Sequence, residues 1–288
     1  GGVSNNVGYL MAQKRLEQRN YELLGVRGVQ FHGFDISPLT TDWVEALEGF
    51  GPDIIYADPA RRGSTGQKVF RPEDCEPDVV QLLSTLLRLA PVVMVKLSPM
   101  ADIAILEKAL KPSEIQVVGA DGEVKELLCV VGREPSAPTR IRVVEEDGEY
   151  VFTREEEACA QALYGTPGRY LLEPKAVLLK AGAFKLCCSR WGLRKLAPST
   201  HLYTSDALPD TPLFKAFEVV GTLPFNGASI KEAGRKYPHA EVSARNLPTK
   251  TDALRARLGI TSGPSGGIHI FACETVFGRK LIVTASVR

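Results

Sequence analysis

The sequence predicts an α/β protein in which a largely parallel sheet with covering helices is followed by a smaller α+β unit. Strand-like and helix-like segments alternate from residue 28 to residue 131, which is typical of a parallel sheet. Two of the predicted strands end directly in an acidic residue, Asp35 and Asp58. A separate run of six short elements fills residues 216–288.

The elements of the first part follow from hydrophobic spacing and from residues that begin or end helices. Pro77 suits the first turn of a helix, and Pro112 ends one. A short turn at residues 120–122 joins the last two strands as a hairpin. The predicted helices are 9–24, the segment after Thr41, the segment from Pro77 and 101–110, and the predicted strands are 28–35, 53–58, 92–97, 114–119 and 124–131.

A Pro-rich stretch, residues 132–139, marks a boundary. Beyond it we expect a hairpin with its turn at Asp147-Gly148, and a helix that Thr153 and Glu156 begin as a capping box and that continues to about Leu163. Residues 169–205 mix apolar turns with basic residues. The last six elements are predicted at 216–223, 228–236, 241–245, 251–258, 268–274 and 280–287, in a ferredoxin-like order of strands and helices.

Composition excludes several classes of function. No run of 18 apolar residues is present, so the sequence predicts no membrane span. The six cysteines form no CxxC pair and have no metal-ligand spacing with histidine, so we expect no metal site and a reducing, cytoplasmic location. A net charge of +1 means that any nucleic-acid contact must come from a local patch.

The segment after the strand at residues 53–58 carries the strongest chemical signal. Asp58 and Pro59 follow this strand at its carboxyl end, the edge of an open α/β sheet where ligands bind. The Asp58 carboxylate can accept hydrogen bonds from an amine, while Arg61 and Arg62 can hold phosphate. The alternative is a strand end followed by a solvated turn.

Lys96 ends the next predicted strand, so it is expected at the same edge of the sheet as Asp58. Its ammonium could neutralise a phosphate or orient a substrate. It could equally extend along the strand end into solvent.

Asp58-Pro59-Ala60-Arg61-Arg62 resembles motif IV of class I S-adenosylmethionine (SAM) methyltransferases, in the form found in bacterial proteins with a carboxyl-terminal THUMP-like domain. Further blocks resemble the same family over nearly the whole chain. They are 74–78, 96–100, 122–127, 180–185, 201–205, 242–248 and 254–258.

The resemblance implies a Rossmann-like methyltransferase sheet, SAM as the cofactor, and transfer by direct displacement, in which the protein supplies alignment. Asp58, Pro59 and Lys96 would be catalytic, and Phe34 and Asp35 would hold the adenine ring, with Asp58 facing the methyl donor. It also implies three regions. Residues 1–134 would be the carboxyl-terminal part of the methyltransferase domain, 135–207 a linker with a small ferredoxin-like subdomain, and 208–288 a THUMP-like domain.

The sequence departs from this family at the cofactor site. A SAM site needs a Gly-rich turn after the first strand and an acid at the end of the second, and neither is visible before Asp35. We therefore expect that the chain begins after half of the cofactor site, that the amino-terminal part of the sheet is missing, and that this chain alone is inactive.

The THUMP-like resemblance and a local basic bias together predict an RNA partner. Ten basic residues stand against five acidic ones in residues 217–288, and phosphate contacts by such side chains give salt-dependent affinity. We expect Arg245, Lys250, Arg255 and Arg257 to contact RNA together with Arg61 and Arg62. Lys180, Lys185, Arg190, Arg194 and Lys195 are candidates to extend this patch.

Two other functions fit the same residues. One is a non-enzymatic RNA-binding protein that retains a degenerate methyltransferase scaffold. The other is a methyltransferase for a substrate other than RNA, in which the basic residues only increase solubility. The methylated atom, the class of RNA and the oligomeric state do not follow from the sequence.

Overall fold

The computed structural model describes residues 41–60, 71–134, 137–260 and 267–287. The described residues divide into two compact units: those within 41–116 and 125–140, and those within 117–124 and 141–287. The predicted site residues Phe34, Asp35, Arg61 and Arg62 lie outside the described residues.

The described elements of the first unit alternate as the sequence predicts, and the hairpin at its end also contributes its tip to the second unit. In chain order they are α1 (Asp42–Phe50), β1 (Ile54–Ala57), a 3-10 turn (Pro72–Asp74), α2 (Val79–Leu89), β2 (Val92–Leu97), α3 (Ile103–Leu110), β3 (Glu114–Ala120) and β4 (Glu123–Gly132).

Helices α2 and α3 begin in the same way. Asp78 precedes α2, and its carboxylate accepts hydrogen bonds from the backbone N–H groups of Val80 and Gln81. Asp102 does the same for the first turn of α3. Each cap satisfies N–H groups that have no partner within the helix. Pro77 lies just before the cap, two positions before the first helical residue, Val79, and not in the first turn where it was predicted.

Strands β1 and β2 are parallel, with Ala57 opposite Val95, and β4 pairs antiparallel with the other edge of β2. The hairpin of β5 (Arg140–Glu145) and β6 (Gly148–Thr153) continues the sheet, whose order is β1-β2-β4-β3-β5-β6. The predicted α/β class is confirmed. Among the described strands the parallel pairing of this sheet is that of β1 with β2, whereas β4 of the predicted hairpin joins β2 antiparallel, so the described sheet is less parallel than the sequence predicted.

The second unit contains a seven-stranded sheet of order β11-β12-β13-β10-β7-β9-β8. Its other described elements are α4 (Arg154–Cys159), β7 (Tyr170–Pro174), α5 (Ala176–Ala181), α6 (Leu186–Trp191), β8 (Arg194–Ala197), β9 (Thr200–Ser205), β10 (Phe214–Pro224), α7 (Gly227–Lys236), β11 (Glu241–Arg245), α8 (Thr251–Leu258), β12 (Ile268–Cys273) and β13 (Lys280–Ser286).

The Thr153–Glu156 capping box is confirmed, with both of its hydrogen bonds present. The helix that it begins, α4, ends at Cys159 and does not reach the predicted Leu163. The last six predicted elements are all present, within two residues of their predicted bounds.

Helices α7 and α8 lie on one face of the seven-stranded sheet. Ile230 and Ala233 of α7 and Leu254 and Leu258 of α8 pack into one core cluster with residues of β11, β12 and β13. The opposite face of the sheet has its own cluster, which includes Phe271. Thr251 at the start of α8 also contacts the sheet, because its hydroxyl accepts a hydrogen bond from the Ala244 N–H of β11. Exposed side chains of the two helices include Lys231, Arg235 and Arg257.

Candidate active site

Asp58 and Lys96 meet at the carboxyl end of the parallel pair β1 and β2. Asp58 is the residue after β1, and Lys96 is the second-last residue of β2. Because Ala57 lies opposite Val95, the next position along each strand brings Asp58 beside Lys96. The Lys96 Nζ donates to Asp58 Oδ2 at 2.6 Å, and the two side chains are 29% and 39% exposed.

This contact changes the ionisation of Lys96. The hydrogen bond to Asp58 raises the pKa of Lys96, partial burial opposes that shift, and the charges of Asp58, Tyr56 and Glu126 add to the increase. The ammonium form therefore persists beyond the usual pH range of a lysine. The Lys96 ammonium is therefore charged at neutral pH.

A small cavity of about 50 Å³ adjoins this pair. Its walls are Asp58, Lys96, Leu97, Pro99, Lys125 and Glu126. Glu126 and Lys125 come from β4, the antiparallel strand beside β2, and neither was among the predicted site residues. The signal that could have found them is their place in the block at residues 122–127, next to the predicted β2 strand.

A second cavity, of about 150 Å³, lies between β1, α1 and α2 and also reaches Asp58 and Pro59. Its remaining walls are mostly apolar and include Trp43, Leu47 and Leu86. Asp58 thus borders both a charged cavity and an apolar one. An apolar pocket with a few convergent polar groups is the usual character of a small-molecule site.

The chain after Asp58 is held by a backbone pair. Ala60 N donates to Glu76 O at 2.7 Å, and Glu76 N donates to Ala60 O at 3.1 Å. These two bonds pair Ala60 with Glu76 and hold the backbone that directly follows Asp58 and Pro59.

The predicted RNA-contacting residues of the second unit fall into two groups. Lys250, Arg255 and Arg257 lie at the start of and within α8, where Lys250 and Arg257 are exposed and Arg255 is half-buried. The Arg257 guanidinium lies over the Phe225 ring, 5.4 Å from its centroid.

Arg245, at the end of β11, is already engaged. Its guanidinium donates twice to Glu173 Oε1, at 3.0 and 2.7 Å. Another guanidinium nitrogen donates to the Ala244 carbonyl.

Lys195 does not extend a basic surface, contrary to the sequence analysis. Its side chain is buried, and Nζ donates to Pro198 O at 2.9 Å, within 6 Å of the ring centroids of Phe184 and Tyr203. Burial lowers the pKa of Lys195. Arg194 pairs with Asp206, and Lys185 donates to the Ala158 carbonyl. The basic residues of 180–195 therefore serve contacts within the fold at these three positions.

No group of three or more His, Cys, Asp or Glu residues that could hold a metal ion occurs among the described residues. Within the same ranges, no helix combines the length and the apolar character that a membrane crossing needs.

Two family models match the carboxyl-terminal part of the chain. A ferredoxin-like domain covers residues 170–212, and a THUMP-like domain covers residues 214–286. Over 86% of its length the chain also superposes, with a TM-score of 0.77 and 34% sequence identity, on 63% of a crystal structure from Porphyromonas gingivalis W83 that is provisionally assigned as a methyltransferase. The chain is a relative of methyltransferases and carries a THUMP-like domain.

Curated proteins that are similar to this chain are also described as methyltransferases. An uncharacterized SAM-dependent methyltransferase of Mycobacterium tuberculosis, from strain CDC 1551 / Oshkosh and from strain H37Rv, is 28% identical over 208 residues. The match covers 71% of this chain and 56% of the relative, so the chain spans little more than half the length of these relatives.

Proposed function

We propose that the protein is a SAM-dependent methyltransferase that acts on RNA, with Asp58 at its reaction centre. The observation that carries the proposal is the position of Asp58 at the carboxyl end of β1, bordering both cavities, in a chain related to methyltransferases. The relatives are longer than the matched region, so the activity is proposed for the complete natural protein.

The described residues fit SAM in part. The cavity between β1, α1 and α2 offers apolar walls to an uncharged group, and the Asp58 carboxylate beside it suits a cation. When bound, SAM would supply an activated methyl group. Asp58 and the backbone at Pro59 would orient the accepting group toward it, and Lys96 would hold the Asp58 carboxylate in place until the substrate arrives. Phe34 and Asp35 are proposed to hold the adenine ring of SAM.

An assay of methyl transfer tests this proposal. Complete natural protein with labelled SAM and total RNA is expected to give label that ribonuclease releases, and Asp58→Ala is expected to abolish it. Asp58 is partly exposed, so the variant should keep the fold, which circular dichroism checks. Asp53→Ala, just before the opposite end of β1, is the matched control. Turnover by Asp58→Ala equal to that of the control would remove Asp58 from the mechanism.

The proposed RNA surface is the outer side of the α7–α8 layer. Exposed basic residues there are Lys231, Arg235 and Lys236 on α7, together with Lys250 and Arg257 at α8. The acidic residues of the two helices are Glu232 and Asp252. This excess of positive charge on one side of the unit suits contacts to the phosphate backbone, which carry affinity without sequence preference.

Charge reversal tests this surface. Arg255→Glu and Arg257→Glu, made singly and together in the complete natural protein, are expected to weaken RNA binding and to flatten its salt dependence by about one phosphate contact for each residue. The control is Lys215→Glu, because Lys215 is exposed on β10 on the same side as Phe217, which packs on the opposite face of the sheet. Equal RNA affinities of Arg257→Glu and Lys215→Glu would refute this surface.

A further inference from the structure

The block at residues 122–127 brings two further charged side chains to Asp58 and Lys96. This block forms the turn and the first half of β4, and β4 pairs antiparallel with β2. Lys125 and Glu126 line the 50 Å³ cavity together with Asp58 and Lys96. Two acidic and two basic residues therefore line one small space.

The strand register sets the relation between Glu126 and Lys96. Lys96 lies opposite Leu128. Because side chains alternate along a strand, Glu126 is on the same face of the sheet as Leu128 and is the diagonal neighbour of Lys96. Diagonal neighbours lie about 7–8 Å apart at Cα, within reach of long side chains such as lysine and glutamate.

Lys96 has more capacity for partners than Asp58 uses. An ammonium carries three donors, and the contact to Asp58 Oδ2 accounts for one. The groups that face Lys96 are Tyr56 and Asp58 from β1 and Glu126 from β4, and the Glu126 charge, like that of Asp58, raises the pKa of Lys96. Lys125 adds a second cation on the β4 side of the same cavity.

We propose that Glu126 is a positioning residue that receives the Lys96 ammonium when the Asp58 carboxylate turns to a substrate. The proposal rests on the function proposed above for Asp58. In the structure, the Asp58 carboxylate is committed to Lys96, and a donor on the substrate must compete with an ammonium for it. Without a second acceptor, release of Asp58 would leave a half-buried cation unpaired, which is costly. Glu126 removes that cost because it lies on the same face within reach.

The predicted exchange can be measured on Lys96 itself, with no substrate. Selective ¹³C-lysine labelling follows the Cε resonance, which Lys96→Arg assigns, through a pH titration of wild type, Asp58→Asn, Glu126→Gln and the double variant. If Glu126 replaces Asp58 as partner, each single variant lowers the pKa of Lys96 only modestly. The double variant then lowers it by more than the two single effects combined.

Glu134→Gln is the matched control. Glu134 is exposed just beyond β4, near the far end of β2, so its substitution removes the same charge at a distance from Lys96. Equal titrations of Lys96 in Glu126→Gln and Glu134→Gln would overturn the proposal. The proposal would also be overturned if Asp58→Asn lowered the pKa of Lys96 as much as the double variant does, because Glu126 would then not act as a second partner.

Methyl transfer by the complete natural protein separates this proposal from the function on which it rests. Glu126→Gln is expected to lower the rate with labelled SAM and total RNA about tenfold, and Glu134→Gln to leave it unchanged. Coupled titration of Lys96 with no transfer by wild type would refute the proposed function and leave the exchange standing. Additive titration with active wild type would refute the exchange alone.

Discussion

Gly234 is the position where the packing of α7 against α8 is tested most directly. A Cβ placed there would lie 1.7 Å from the Leu258 carbonyl oxygen, far inside any contact that real Cβ atoms make. The two helices would have to separate by more than 1 Å to relieve that clash. The separation would disturb the cluster formed by Ile230, Ala233 and Leu254. Gly234 is therefore required by the close approach of the two helices.

The magnitude of Gly234→Ala follows from two opposed effects. Alanine favours a helix interior over glycine by about 1 kcal/mol. Overpacking of a well-packed contact costs about 3 kcal/mol, here at the upper end of the usual range because the opposing atom is backbone. We expect a net loss of about 2 kcal/mol in the free energy of unfolding of the carboxyl-terminal unit, or about 4–8 °C in its Tm.

Chemical denaturation measures this loss, and Gly227→Ala is the control. Gly227 begins the same helix, and a Cβ there meets nothing within 4 Å. Gly227→Ala should therefore be neutral or slightly stabilising. If the midpoint of unfolding is the same for Gly234→Ala and Gly227→Ala, α7 does not approach α8 as closely as the structure has it.

Three other predictions concern stability and reactivity. Burial lowers the pKa of His269 to about 4, so the unfolded chain binds a proton that the folded chain does not between about pH 6.5 and pH 4. The free energy of unfolding of the second unit should then fall by up to about 3 kcal/mol on acidification. Urea titrations at several pH values should show that His269→Gln lacks this part of the pH dependence, and an equal pH dependence in wild type and variant would contradict the prediction. Asp78→Ala removes the cap of α2 and should cost about 1 kcal/mol, seen as a lower midpoint of unfolding, whereas an unchanged midpoint would mean that the cap is not formed. Cys159 is the exposed one of the six cysteines, so a thiol reagent should modify one thiol rapidly in the native chain and six after unfolding; a second rapid thiol would contradict the burial of the others.

Hydrophobic periodicity predicted the elements where each has one buried and one exposed side. Helix α7 is of this kind, and its bounds were predicted to within a residue. The elements within residues 170–205 were not predicted, because they are four to six residues long and buried on more than one side. In β7, Leu171 and Leu172 are both fully buried, so no alternation marks the strand.

The burial of Lys195 shows a second limit of sequence reasoning. Lysine is almost never fully buried, so a basic cluster at residues 180–195 favours a solvated surface. Its ammonium is satisfied by the Pro198 carbonyl and by the aromatic rings of Phe184 and Tyr203, which come from α6's preceding loop and from β9. Partners that lie on separate elements and meet only in the folded sheet leave no pattern in the sequence.

One part of the candidate site could be predicted from the sequence and another part could not. Successive parallel strands end at one edge, so the order of elements alone predicted that Asp58 and Lys96 lie at the same edge. The contribution of Glu126 depends on a choice that the sequence does not reveal, namely which strand of the β3–β4 hairpin pairs with β2. In the observed order, β4 is inserted between β2 and β3, which makes Glu126 the diagonal neighbour of Lys96. If β3 lay beside β2 instead, Glu126 would not neighbour Lys96, and Asp58 would be the one carboxylate of the two beside it. Release of Asp58 would then leave the Lys96 ammonium without a carboxylate partner.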